Sequence, residues 1–323
     1  MPRENPFAGD VAGMSPDEFA LLSSAVRERE CRDAVGFGTF AEAAALYRPD
    51  PPCPSCGARD ARLDGHEGNG LQRFRCRECG RRFNSLTGTV LEHSKSDMPT
   101  WVQFVRLMRF NVPLDAIAEA CGVSHQTAWE WRHRVFATVD GYQDRIVLRD
   151  RVWIDETYLV DTDLTHGFGQ ARKRGLSGQK VCMAVAIDVH KNPVAVVCGH
   201  GKPTSKRIRD GLESHIAEGS TVVGDRERAH DALVKAVKGT HEAYKADVRD
   251  PVYLERVAMV NNLCSWIKRY LWRFTGMGMK YLQSYLNWYV YLFRVKQASE
   301  RWPETARVVR HLLMADARFR SST

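Results

Sequence analysis

Of the nine cysteines in this chain, four come in two pairs, Cys53-Pro54-Ser55-Cys56-Gly57 and Cys76-Arg77-Glu78-Cys79-Gly80, with nineteen residues between them. Two thiolates three positions apart can turn back on one metal ion, and a second such knuckle completes a tetrahedral four-sulfur site. Gly57 and Gly80 allow the positive φ that a knuckle requires. The set implies no open coordination position, so the spacing predicts one structural Zn2+ per chain on Cys53, Cys56, Cys76 and Cys79. Arg73, Arg75, Arg77, Arg81 and Arg82 surround the second knuckle, where they either contact phosphates or form a solvated face.

A second chemistry is written in carboxylates. Asp155 ends the apolar part of Val152-Trp153-Ile154, and Asp225 ends Thr221-Val222-Val223-Gly224. On adjacent parallel strands these two groups stand side by side, and two carboxylates at ~4 Å cannot both stay ionised without a cation. Mg2+ or Mn2+ would suit such oxygen ligands. A lone Asp at a strand end is usually a turn or cap residue, so the weight rests on the pair and on the topology that joins it.

The elements that must position the pair are legible from periodicity. From Arg151 the apolar period is two: Val152 to Tyr158 alternates, and Val181 to Asp188 and Val194 to Cys198 are β-rich runs joined by His190-Lys191-Asn192-Pro193. This predicts a three-stranded meander. A helix over Thr204 to Ala217, a strand over Ser220 to Asp225, a helix from about Ala229 to Val237 and a long helix from about Val252 to Phe274 follow. The order βββαβα plus a final helix suggests an RNase H-like core with a mixed sheet, which places Asp155 and Asp225 at neighbouring carboxyl ends. Such a core wants a third ligand from the last helix, where Glu255 is the only acidic residue in the right stretch. Instead, 35 residues separate Asp225 from Asn261. Asn261, Ser265 and Lys268 share one face of that helix, and Leu263, Ile267, Tyr270 and Phe274 share the opposite one.

Upstream, Pro16 to Arg29 and Phe40 to Tyr47 read as short helices, the first with Phe19, Leu22 and Val26 at helical spacing. Leu114 to Phe136 has an apolar helix, a Gly122-Val123-Ser124 turn and a second helix with Ala128, Trp131 and Val135 facing inward, which is helix-turn-helix spacing. His125, Gln126, Glu130, Arg132, His133 and Arg134 are then available to a DNA groove, although an αα-hairpin without DNA contact has the same pattern. The aromatic residues from Trp266 to Phe293 could stack on bases, but at helical spacing they read as core. Arg172-Lys173-Arg174-Gly175 and Lys202, Lys206, Arg207 and Arg209 could track DNA or sit on solvated faces.

Composition bounds these readings. At 44% hydrophobic and 27% charged over 323 residues the chain is an ordinary globular one of two or three domains, which excludes disordered and fibrous classes. No run approaches the ~18 apolar residues of a membrane span, and the start MPRENPFAGD lacks the apolar segment of a signal peptide, so a cytoplasmic protein without a membrane partner is expected. Cysteines there favour metal over disulfides. Residues 141–323 carry 30 Lys and Arg against 20 Asp and Glu, and the net charge of +8 favours a polyanionic partner.

Taken together, the double knuckle, Ile154-Asp155-Glu156-Thr157-Tyr158, Gly224-Asp225 with nearby His230, Val260-Asn261-Asn262, Ile267-Lys268-Arg269 and Lys280-Tyr281-Leu282-Gln283-Ser284-Tyr285-Leu286 resemble a known family. From about Cys53 to Arg294 the chain is similar to bacterial insertion-sequence transposases of the DDE type, in the zinc-ribbon group numbered fifteen-ninety-five with an ISXO2-like catalytic domain. The resemblance implies metal-binding positions at Asp155, Asp225 and Asn261 for two Mg2+ or Mn2+ ions, and DNA contact by Lys268, seven residues on; Arg269 beside it is a further candidate for DNA contact. It also implies strand cleavage and transfer on double-stranded DNA, with terminal inverted repeats and target DNA as partners, and a homodimer or higher assembly on DNA in the bacterial nucleoid. Most such enzymes carry Glu at the third position. Asn261 keeps a carbonyl ligand but removes a charge, so an impaired domesticated transposase, or a zinc-ribbon and helix-turn-helix regulator, is the alternative. The expected domains are a helical segment at 1–50, a zinc ribbon at 51–95, a helix-turn-helix domain at 96–140, the RNase H-like core at 146–298 and a C-terminal tail at 299–323.

Overall fold

A computed structural model describes residues 7–160, 180–247, 249–274 and 276–315. In chain order the elements are α1 (Ala8–Ala12), α2 (Pro16–Val35), α3 (Phe40–Tyr47), β1 (Ala61–His66), β2 (Gln72–Cys76), β3 (Arg82–Asn84), α4 (Met98–Arg109), α5 (Leu114–Cys121) and α6 (His125–Ala137). Then come β4 (Arg151–Val160), β5 (Lys180–Asp188), β6 (Pro193–His200), α7 (Ser205–Leu212), β7 (Thr221–Asp225), α8 (Asp231–Ala236), β8 (Thr240–Tyr244), α9 (Pro251–Leu271), α10 (Leu282–Gln297) and α11 (Glu304–Met314). They fall into two compact units, one of residues 139–298 and one of the residues on either side.

In the flanking unit, α2 opens on a capping box in which the Ser15 hydroxyl accepts from the Glu18 N–H and the Glu18 carboxylate accepts from the Ser15 N–H. The expected apolar stripe of α2 is not its packed face. Phe19 and Val26 are 50% and 47% exposed, while Cys31 and Val35 are buried. The reason is length: α4, at 12 residues, lies beside Arg27, Glu30, Cys31 and Ala34 and leaves the first turns of the 20-residue α2 uncovered. The expected C-terminal tail also differs, because residues 304–314 form α11, whose Val308, Val309, Leu312 and Leu313 are buried against α2, α3 and α4. The Arg109 guanidinium pairs with Glu304 and donates to the Thr305 hydroxyl, fastening that helix at its start.

The second unit holds a five-stranded sheet in the order β6-β5-β4-β7-β8, with β4, β5 and β6 antiparallel and β7 and β8 parallel to β4. The meander, the helical crossover α7 and the two parallel strands are the RNase H-like arrangement. β8 escapes sequence reading because Thr240-His241-Glu242-Ala243-Tyr244 is polar and only half-buried, and it pairs on one edge alone. The opposite edge, β6, is covered by side chains. Gln143 exchanges bonds with the backbone of Ala195, and the Gln283 carbonyl accepts from the Val197 N–H, so two amides take the place of a sixth strand. Strand β5, between β6 and β4, is buried almost throughout, and α9 packs on β4 and β5. Among the described residues no helix is long and apolar enough to cross a membrane.

Candidate active site

β4 and β7 run parallel with Arg151 opposite Thr221, Val152 opposite Val222 and Trp153 opposite Val223. Two residues further up both strands, that register sets Asp155 beside Asp225. The Asp155 carboxylate accepts the Glu156 N–H at 2.8 Å, and that of Asp225 accepts the Glu227 N–H at 3.1 Å. Burial, reinforced by the charges of Glu156 and Asp225, pushes the Asp155 carboxyl up to about 6. A carboxylate opposed by desolvation and by two like charges is one that a bound cation would relieve, so the donor set fits a divalent ion.

α9 covers this point. Asp250 caps it by accepting the Val252 N–H, Pro251 starts it, and the Trp153 indole N–H donates to the Arg256 carbonyl at 2.8 Å, tying β4 to the first turns of the helix. Further along, the Cys264 thiol donates to Asp155 Oδ2 at 3.7 Å, and burial together with the Asp155 charge pushes that thiol well above its ordinary range. Asn261 lies three residues before Cys264 and Lys268 four after, so both share the helix side that meets Asp155. Asn261 is half-buried and Lys268 exposed, whereas Leu263, Ile267 and Tyr270 are buried as their spacing demands. At ~1.5 Å per residue the seven-residue step from Asn261 to Lys268 spans about 10 Å, too far for both to ligate one ion. Helix α9 stops at Leu271, short of the expected Phe274.

His230 closes the other side. It ends the 3-10 turn Arg228–His230 ahead of α8, is 1% exposed, and places Nε2 2.8 Å from Glu156 Oε1 and Nδ1 3.7 Å from Asp225 Oδ1. Burial opposes charge on this imidazole, but the bond to Glu156 and the charges of Glu156, Asp225 and Asp155 outweigh it and raise the pKa. The sequence leaves His230 open between a metal neighbour and a capping or core residue, names Glu156 only as a fallback and passes over Cys264. The available signal was strand alternation: Asp155 and Glu156 are consecutive, so one points to each face of the sheet, toward α9 and toward the turn before α8.

The cysteines converge as well. Gly57 and Gly80 have φ of 76° and 73°, and the four thiols lie within 4.8 Å of one another, with Cys53 to Cys79 and Cys56 to Cys76 at 3.6 Å. A tetrahedron with Zn–S bonds of about 2.3 Å has edges of about 3.8 Å, so the set could hold that ion as it stands. Among the described residues, Asp155 and Asp225 have no third His, Cys, Asp or Glu ligand drawn in as tightly. Against its burial, the backbone N–H groups of Cys56 and Ser55 lower the Cys53 thiol to about 6, which favours the thiolate a metal needs.

Residues 147–294 match the model of the ISXO2-like transposase domain. That segment is similar to this transposase family. A protein of the transposable element ISH50 from Halobacterium salinarum is 32% identical over 193 residues, 56% of this chain and 64% of the relative, so the chain spans less than two thirds of that relative's length. Two solved structures overlap slightly: the Mos1 mariner paired end complex with Mn, at TM-score 0.29 and 13% identity over 66% of this chain and 74% of the other, and a pre-cleavage Mos1 transpososome, at 0.22 and 9% over 68% and 79%. Superpositions so slight carry nothing about function.

Within the matched segment Trp272 is 81% exposed, one helical turn beyond Lys268, and Trp266 is 44% exposed, so neither is core as expected, while Tyr270, Tyr285 and Trp288 are buried. Arg269 is exposed beside Lys268. Of the basic residues on and before α7, Lys202 pairs with Glu227, Arg209 with Asp210, and Arg207 donates to the His200 carbonyl. The run Arg172-Lys173-Arg174-Gly175 lies outside the described residues.

Outside the matched segment, α5 and α6 form the expected helix pair. Gly122 turns at φ 63°, Ser124 caps α6 by accepting the Thr127 N–H at 3.1 Å, and Ala128, Trp131 and Val135 are buried, with Trp131 stacked on Trp101 at 4.1 Å. His125 and Gln126 are exposed, Gln126 bonding Glu130, and Arg134 is half-exposed. Arg132 and His133 are 5% and 3% exposed, which corrects the expectation that they are available to a groove: Arg132 lies seven residues after exposed His125 on the same helix side, and that side is covered further along α6. Arg81 and Arg82 are exposed at the ribbon, and Arg82 pairs with Asp64 at 2.8 Å.

Proposed function

We propose that this chain is a DNA transposase that cuts at the ends of an insertion sequence and joins the freed 3′ hydroxyl to target DNA by metal-dependent phosphoryl transfer. The observation that carries the reading is the parallel register of β4 and β7, which sets Asp155 beside Asp225 inside a transposase-family domain. Asp155, Asp225 and Asn261 would hold two divalent ions, Mg2+ or Mn2+, which when bound activate the attacking oxygen and stabilise the leaving one. Asp155, central on β4 and under α9, would be the group suited to both ions, and Asp225 and the Asn261 amide would each contribute to one. Lys268 and Arg269, exposed on the outward turns of α9, would meet the DNA backbone near the reacting strand. Cys53, Cys56, Cys76 and Cys79 would hold one structural zinc, and the ribbon with Arg81 and Arg82 and the helix pair with His125, Gln126 and Arg134 would read and grip the terminal repeats. Assembly as a homodimer or larger on paired ends, in the cytoplasm and nucleoid, belongs to the same reading.

A second reading, a domesticated transposase that binds DNA without turnover, is favoured by one residue, Asn261 in place of an acid. The deciding experiment incubates the purified chain with DNA carrying the repeats that flank its own gene, in Mg2+ or Mn2+. Cleavage that Asp225→Ala abolishes supports the transposase; tight binding with no cleavage in either metal supports domestication.

A further inference from the structure

One buried atom beside the acidic pair is unaccounted for by the metal reading. His230 Nδ1 has no hydrogen-bond partner, yet its ring is 1% exposed, and it faces Asp225 Oδ1 at 3.7 Å. A buried polar nitrogen left unmatched is costly, and this one faces a carboxylate that would share a ligand with it. The ring is held there from both sides. Glu156 Oε1, 2.8 Å from Nε2, accepts its N–H, and Gly224 is the strand residue it abuts, where a Cβ would lie 3.3 Å from Nδ1 and 3.2 Å from the Ile154 carbonyl.

Resting on the metal-site reading above, the geometry points to His230 Nδ1 as a nitrogen ligand, shared with Asp225, to one of the divalent ions. With its Nε2–H given to Glu156, the ring turns Nδ1 toward the Asp225 carboxylate, and either a proton or a cation must lie between two such electron-rich atoms; a bound divalent ion would take the place of the proton there. Two donors about 2.1 Å from one ion lie roughly 3 to 3.5 Å apart, so closure from 3.7 Å needs a shift of only a few tenths of an ångström. The chain carboxylate, imidazole, metal is the arrangement by which outer carboxylates fix the tautomer and orientation of ligating histidines, and Glu156 is that outer carboxylate here. The nitrogen would offset the donor weakness of Asn261, which brings an amide where a third charge would stand, and it makes the site favour Mn2+ over Mg2+, because imidazole suits transition ions better than hard ones.

The test uses the zinc-replete full chain and Mn2+ alone, read by titration calorimetry and by pulsed electron paramagnetic resonance of the bound ion. The expected spectrum carries the coupling of one directly bonded 14N, which changes to that of 15N in protein labelled on histidine. It vanishes in His230→Gln, with affinity lower by more than roughly tenfold, and persists in Glu156→Gln, with affinity lower by about tenfold. Should His230→Gln fail to fold, the wild-type spectrum decides alone. Mn2+ bound in an Asp225-dependent manner without nitrogen coupling would overturn the role of His230 and leave the metal site standing. No Mn2+ binding sensitive to Asp155→Ala or Asp225→Ala would overturn both.

Discussion

The ribbon and the acidic site are built in opposite ways. The four thiols come from two short knuckles in one small subdomain, meet at 3.6 Å, and two of them, Cys53 and Cys76, share a small buried cluster with Phe74 and Phe83. The carboxylates come from strands 70 positions apart in the chain, are placed by a buried sheet, and stand more openly. In the first, a bound metal would have to make the fold, because so small a buried cluster cannot stabilise it. In the second, the fold makes the site, and strain is stored in it: Asp155 is held where its charge is unwelcome.

This difference can be broken or sharpened experimentally. The largest effect is expected from the thiols. Structural zinc is worth on the order of 10 kcal/mol in small zinc domains, so Cys76→Ser or chelation should erase hydrogen-exchange protection across β2 and β3 while β4, β5 and β7 keep theirs. Protection that survives zinc loss at Phe74 and Phe83 would break the comparison.

Asp155→Ala and Asp225→Ala should do the reverse, leaving the fold and end-DNA binding nearly intact while lowering cleavage by at least roughly a thousand-fold, about 4 kcal/mol of barrier. Asn261→Ala should lie close behind, and Asn261→Asp should hold Mn2+ at least as well as wild type without DNA. Full cleavage by Asn261→Ala would remove it from the ligand set; since Glu156 is engaged by His230, Glu255 would be the next residue to test.

Stability against pH probes the stored strain. Folding raises the Asp155 carboxyl from an ordinary 3.8 to about 6, so the folded state binds the proton more tightly than the unfolded one. Its contribution is therefore most favourable below about pH 4 and is lost as pH rises through 6, by about 3 kcal/mol. With zinc retained and no Mg2+ or Mn2+ added, Asp155→Asn should melt higher than wild type at pH 7 and not at pH 4. Equal melting at both values would show that the site stores no such strain.

The smallest effects belong to DNA contacts. Gln126→Ala should cost about 1 to 3 kcal/mol on the terminal repeat and little on unrelated DNA, whereas Arg81→Ala should weaken both alike and reduce the salt slope by about one.

What could be read in advance follows chain distance. Cysteine spacing, the capped turn at Gly122-Val123-Ser124, the meander and the Asn261-to-Lys268 face are periodic or local, and each stands where its residues put it. The burial of Arg132, the exposure of Phe19 and Trp272, and the docking of α11 were not legible, because each depends on which neighbour covers which turn. β8 was missed because its five residues carry no apolar alternation and are held by pairing to β7.

The amino-acid sequence by itself determined the residue types: four thiolates at knuckle spacing, two strand-end aspartates, and an amide where an acid is common. Those follow from local geometry, in which side-chain direction repeats every two or 3.6 residues. Only the tertiary structure decided that Glu156 turns away from Asp155 to hold His230, that Gly224 makes room for that ring, and that Cys264 touches the central carboxylate. These contacts join residues 74 and 109 positions apart, and no local rule reaches across such a distance; the packing of helices on the two faces of one sheet does.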